Sequence, residues 1–157
     1  MTDSKRPLDG LRVIELGQLI AGPFCGQLLG DFGAEVIKVE APGLPDPARG
    51  WGAVKKDDIG LFWPIIGRNK KSLTLNLRVE EGQAILRDLV KTADVLVENF
   101  RPGTLERWGI GPDVLHEINP RLVITRVSGY GQTGPESHKA GYASVGEFHY
   151  LHHQAGG

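Results

Sequence analysis

Cysteine is nearly absent from this sequence. Cys25 stands alone among 157 residues, so no internal disulfide can staple the fold. No apolar run reaches the roughly 18 residues of a membrane span, and the first residues contain no apolar core of a signal peptide, so a cytoplasmic protein with no membrane association is expected. An excess of either charge is missing too. Eighteen Lys and Arg stand against 19 Asp and Glu, a net charge of −1, which supplies no global field for a nucleic acid or an anionic membrane. Two phosphate-binding signatures are also absent. No G-x-x-x-x-G-K-[ST] string occurs, and at the first strand-to-helix turn only Gly22 stands where a dinucleotide fingerprint needs G-x-G-x-x-G. That missing second glycine counts against NAD, although Glu40 falls where an acid would bind a ribose.

What the chain does have is glycine and proline, 22 and 10 residues, grouped between short apolar runs. That pattern predicts many short, shaped loops within one domain. Arg12 to Leu16 (RVIEL) and Glu35 to Glu40 (EVIKVE) read as strands, with a helix between them beginning at Pro23, whose fixed φ suits a first helical turn. Gly26 and Gly30 follow Gly22 at four-residue steps, one helix face that can approach a sheet closely. The stretch "APGLPDPARGWG" (41–52) excludes a regular element and reads as a long loop. Ser72 to Leu77 alternates, placing Leu73, Leu75 and Leu77 on one strand face. From Gly82, the residues Ile85, Leu86, Leu89, Val90 and Ala93 form a helical stripe. Asp94 to Val97 reads as a buried strand, Pro102 to Arg107 and Pro112 to Ile118 as short helices, and Arg121 to Val127 as a last strand. Strands alternating with helices predict an α/β fold, a largely parallel Rossmann-like sheet with flanking helices.

Five strings in order, "PLDGLRVIELGQLIAGPFCGQLLGDFGAEVIKVEAPG", "RNKKSLTLNL", "ADVLVENFRPGTLERWGIG", "INPRLVITRVSGYGQTGP" and "AGYASVGE", closely resemble the class III CoA-transferases of the CaiB/BaiF type, which include formyl-CoA transferase. The resemblance runs from about Pro7 to Glu147 and implies that residues 1–147 are the incomplete N-terminal part of a CoA-binding domain. It implies CoA contacts from Ile20 and Ala21 after the first strand, from Leu75, Asn76 and Arg78, from Asn99, Phe100, Arg101 and Arg107, and from Lys139 and Tyr142. Asn99 and Phe100 also stand at the carboxyl end of a predicted strand, where open α/β sheets gather ligands, and Asn99 has two amide functions to offer one. Ala41 departs from members that carry an arginine just after the "KVE" strand, so that contact is either missing or supplied by Arg49 or by Lys55 and Lys56.

The chemistry implied is transfer of CoA from an acyl-CoA to a free carboxylic acid, with CoA thioester as substrate and no further cofactor or metal. A carboxylate nucleophile must hold the acyl group and then the CoA. In the family an aspartate in a "GD" string does so, a few tens of residues past the "AGY" match and hence past Gly157; none of Asp31, Asp46, Asp57, Asp58, Asp94 or Asp113 matches it. The resemblance thus implies a truncated chain that is itself inactive, and an interlocked homodimer for the full-length form. The residues 148–157 (HHQAGG at their end) depart from the family as an atypical tail, and His149 and His153 lack a third metal ligand. Two other readings stay open. A 2-methylacyl-CoA racemase shares the fold but uses a histidine base where this chain has Tyr142, a poor base for an α-proton. The other is an inactive CoA-binding fragment.

Overall fold

The apolar runs become strands because β-branched residues buried on both faces favour a parallel sheet. A computed structural model describes residues 5–141. Tyr142 and the tail 148–157 lie outside them. Strand β1 (Arg12–Glu15) leads into helix α1 (Ala21–Asp31), and β2 (Glu35–Glu40) returns beside β1. The helix starts two residues before Pro23. A proline there still costs no intrahelical bond, since the first four N–H groups of any helix lack a partner.

The segment expected to be an irregular loop contains a 3-10 turn at Pro47–Gly50, started by Asp46, whose carboxylate accepts the Ala48 N–H at 2.9 Å. Proline within the first turn and a capping acid make that turn possible. A small antiparallel hairpin follows, β3 (Lys55–Lys56) and β4 (Ile59–Gly60), turned by Asp57 and Asp58 at φ of 51° and 62°. Next come helix α2 (Trp63–Ile66) and strand β5 (Lys70–Thr74). The strand expected over Ser72 to Leu77 therefore begins and ends earlier. Its alternation still holds: Leu73 is partly buried, and Leu75 and Leu77 are buried just past the strand.

Helix α3 (Glu80–Val90), strand β6 (Val95–Glu98), helices α4 (Thr104–Arg107) and α5 (Pro112–Ile118) and strand β7 (Val123–Arg126) complete the order. Ile85, expected on the buried stripe of α3, is 48% exposed instead; Leu86 and Val90 carry the packing. Among the described residues the five long strands form one parallel sheet in the order β5-β2-β1-β6-β7. On one face α3 and α5 cover Ile14, Leu16, Val39 and Leu96. On the other face α1 covers Val13, Val36 and Val97. Each fully buried leucine, such as Leu86, Leu96 or Leu115, contributes about 1.5–3 kcal/mol of burial.

The three glycines of α1 do face the sheet. A Cβ on Gly26 would fall 2.0 Å from the Glu15 carboxylate, and one on Gly22 would fall 2.8 Å from the Gly17 Cα. Close approach of helix to strand is therefore their physical reason. The strand order matters more for function. From β1 the chain builds outward through β2 to β5, then crosses back to lay β6 and β7 on the other side. The loops after β1 and β6 part in opposite directions, which opens a crevice at the carboxyl ends of the strands.

Candidate functional site

That crevice is a cavity of about 290 Å³. Leu16 and Gln18 enter it from the end of β1, Val39 and Ala41 from β2, and Leu75, Asn76, Leu77 and Arg78 from the segment after β5. Phe100, Arg101, Thr104 and Trp108 close it from β6 and α4. The floor is apolar because the strand ends deliver leucine and valine there. Phe100 meets Trp108 edge-on at 5.4 Å, a geometry aromatic pairs favour.

Phe100 is held in place by its own N–H, which donates to Glu98 Oε2 at 2.6 Å. Glu98 is buried, and that burial pushes its carboxyl up, although Arg126 and the Phe100 N–H pull the other way. Arg126 reaches Glu98 at 2.7 Å and Glu106 at 2.6 Å, so it ties β7 to β6 and α4. Asn76 accepts the Arg78 N–H at 3.1 Å and shapes the turn that presents Arg78.

The rim is cationic. Six of the ten arginines are ion-paired with other described residues, namely Arg6, Arg12, Arg49, Arg68, Arg87 and Arg126. Arg78, Arg101 and Arg107 face no carboxylate in an ion pair with the described residues. The first two line the cavity, and Arg107 donates from Nη2 to Thr104 Oγ1 at 2.9 Å, beside it. An arginine fork left open at a cavity mouth is suited to phosphate oxygens.

Other expected contacts are placed differently. Asn99, expected to turn both amide functions to a ligand, uses both on the main chain of Gln18: Oδ1 accepts its N–H at 2.7 Å and Nδ2 donates to its carbonyl at 2.9 Å. Ile20 and Ala21, at the start of α1, do not line the cavity, and Gln18 from the same loop does. Lys139 pairs with Glu136 on the surface, which raises its pKa, and it does not line the cavity. Tyr142 lies outside the described residues. Arg49, the suggested replacement for an arginine at Ala41, is engaged as well. It forks onto Glu40 at 2.9 and 2.6 Å and stacks 4.0 Å over Trp63. Lys55 and Lys56 are exposed on the hairpin.

Glu40 is thereby withdrawn from any ribose. Burial raises its pKa, but the Arg49 fork and the Asp46 N–H outweigh burial and hold the carboxyl below its usual range. Among the described residues no aspartate lines the cavity, and no cluster of three His, Cys, Asp or Glu could hold a metal. No helix among them is long and apolar enough to cross a membrane.

Residues 8–149 match the sequence family described as CoA-transferase family III. The chain belongs to that family. It is 60% identical over 142 residues to the "Succinyl-CoA--D-citramalate CoA-transferase" of Chloroflexus aurantiacus, covering 90% of this chain and 35% of that protein. It is 43% identical over 143 residues to the "Succinyl-CoA:glutarate CoA-transferase" of Mus musculus, covering 91% of this chain and 33% of the other. A crystal structure of a CAIB/BAIF family protein from Brucella suis superposes with a TM-score of 0.82 at 42% identity, over 88% of this chain and 37% of that one. The chain thus spans about a third of the length of the curated relatives it matches. The cavity wall includes residues that sequence reasoning missed, Gln18, Thr104 and Trp108. Gln18 carried no signal, being a polar residue in a predicted loop.

Proposed function

We propose that the cavity binds coenzyme A through its phosphates, and that the protein to which this sequence belongs moves CoA from an acyl-CoA to a free carboxylic acid. The observation that carries the binding half is the rim of Arg78, Arg101 and Arg107, none of them in an ion pair with the described residues, beside an apolar floor. Leu75 and Asn76 offer a wall for the adenine, and Phe100 an apolar face for the rest of the nucleotide. Residues 1–147 act as the CoA-binding part, and the tail 148–157 takes no role in it. The relatives named above are transferases that use succinyl-CoA, which supports succinyl-CoA as donor here and a dicarboxylate as acceptor.

The reaction proceeds through an aspartyl-CoA thioester. A carboxylate attacks the acyl-CoA carbonyl and releases CoA thiolate, leaving a mixed anhydride. The thiolate then attacks the aspartyl carbonyl and expels the acyl carboxylate; the acceptor carboxylate attacks the aspartyl-CoA and releases the thiolate, which attacks the acceptor's carbonyl in the new anhydride and frees the aspartate. None of the aspartates near the sheet takes that part: Asp31 is held by Arg68 and Asn69, Asp46 by Lys38, and Asp94 by the Arg12 N–H. The interlocked homodimer belongs to the same proposal. It is consistent with Val123 on β7, 59% exposed on the sheet face that α1 leaves uncovered. The racemase reading draws no support from the relatives.

Calorimetric titration of the chain with CoA, 3′-dephospho-CoA and NAD tests the site. Tightest binding of CoA is expected, weaker binding of the dephospho form and none of NAD. Equal binding of CoA and 3′-dephospho-CoA would remove the arginines from the 3′-phosphate. For the reaction, the complete protein incubated with succinyl-CoA and labelled free acid should yield labelled thioester.

A further inference from the structure

The coenzyme A reading leaves one group of charges unused. Under α1, at the carboxyl end of the sheet, Lys38 of β2 is 2% exposed. Its ammonium donates to Glu15 Oε1 at 2.9 Å and to the Gly17 carbonyl at 2.8 Å, and it is ion-paired with Asp46 Oδ2 at 2.9 Å. Lys70 completes the group, 2.7 Å from Glu15 Oε2 and donating to the Pro23 carbonyl at 2.6 Å. Burying two cations and two carboxylates is costly, and apolar residues of similar volume are commonly no less stable. Stability alone therefore does not explain the group.

Its contacts do. Asp46 accepts the Leu19 N–H at 3.1 and 3.2 Å, on both carboxylate oxygens. Leu19 has φ of 65°, a left-handed conformation that a leucine adopts only where its surroundings impose it. Gln18, the residue before, is clamped at N–H and carbonyl by Asn99. Gly17 packs against Gly22 so closely that a Cβ would meet its Cα at 2.7 Å. Residues 17–19 thus form a strap whose polar main-chain groups are gripped by β2, by the 41–50 segment and by the end of β6, and whose Gln18 faces the cavity.

We propose that Lys38 and Asp46 are positioning residues: they hold the Gly17–Leu19 strap so that Gln18 meets the part of CoA beyond its phosphates. This rests on the coenzyme A reading. The strap follows β1, between the β5 end that presents Arg78 and the segment after β6 that presents Arg101 and Arg107, and its Gln18 carries an uncharged amide, which suits the amide groups of the CoA arm where the arginines suit the phosphates.

The test uses the 157-residue chain and its Asp46→Asn variant. Amide exchange is read at Leu19, and calorimetry compares CoA with adenosine 3′,5′-bisphosphate, which carries phosphates without the pantetheine arm. In the variant, Leu19 exchange should quicken and CoA affinity fall, each by about tenfold, while the bisphosphate binds as to the parent. A general structural loss would weaken both ligands alike, and that result, or unchanged Leu19 exchange in a folded variant, overturns the positioning. A parent that binds neither ligand overturns the coenzyme A reading instead. Should Asp46→Asn not fold, the parent decides: Leu19 must exchange as slowly as Val13 and Ile14 of β1, and exchange at the rate of a free loop amide overturns the proposal.

Discussion

The sheet has a hollow at each end, and the larger is the poorer candidate. At the amino ends of the strands, Arg6, Arg12, Glu35, Lys71 and Thr92 surround about 600 Å³, roughly twice the cavity at the carboxyl ends. Yet every one of its cations is spoken for: Arg6 by Asp9, and Arg12 and Lys71 by Glu35. At the carboxyl ends the cations of the rim form no ion pair with the described residues, and the acids Glu40 and Glu98 are buried. An anionic ligand gains from open donors, not from volume, because a paired guanidinium must first give up its carboxylate. The difference between the ends is one of pairing and burial.

The largest expected effect tests burial. Arg126→Ala would leave Glu98 buried beside the cavity without its cation and should cost about 3–5 kcal/mol of stability, whereas Arg12→Ala at the exposed amino end should cost at most about 1 kcal/mol. Urea unfolding of both variants measures it, and equal losses would break the contrast. Next comes pairing. Arg78→Ala and Arg107→Ala should each weaken CoA by about 10-fold to 100-fold, as expected for a lost charge-assisted hydrogen bond, while Arg12→Ala leaves affinity within about twofold. Calorimetry decides.

Salt gives a smaller effect. The rim arginines are exposed, so raising ionic strength should weaken CoA several-fold and narrow its advantage over 3′-dephospho-CoA, since charges are screened beyond about 8 Å at physiological salt. A salt-independent affinity would place the phosphates elsewhere.

The smallest effect is on acid stability. Glu40 has a folded pKa below its ordinary value of about 4.3, so its contribution is present above that value and is lost as pH falls through the depressed one. Glu35, at the amino end, is also lowered, first by Lys71 and then by Arg12, but it is more exposed. Glu40→Gln should therefore flatten the acid decline of the unfolding midpoint more than Glu35→Gln does. Glu98 has the opposite sign: its raised pKa gives stability below about 4.3 that is lost as pH rises through the folded value.

Much of this was legible in residue order. The strands announced themselves as β-branched runs, and the glycine steps at 22, 26 and 30 marked the face of α1 that lies on the sheet. Leu75, Asn76, Arg78, Phe100 and Arg101, expected from separate stretches of the sequence, are brought together by the fold in one cavity wall. The hairpin at 55–60 and the 3-10 turn at 47–50 were hidden, because proline and glycine mark breaks without saying what lies between them. The charge group at Glu15, Lys38, Asp46 and Lys70 did leave a trace: charged residues inside otherwise apolar strand runs, where parallel sheets are normally buried on both faces.

The sequence by itself determined the alternation of strand and helix, the parallel sheet and the family, because these depend on local periodicity and on strings of adjacent residues. Only the tertiary structure decided which polar groups are free to act. Asn99 stands 81 residues from the Gln18 it clamps, and Arg49 and Glu40 could each have served a ligand until folding bound them to one another. Whether a side chain is a donor to solvent or already satisfied depends on what the fold brings within about 3 Å of it, and no local pattern carries that information.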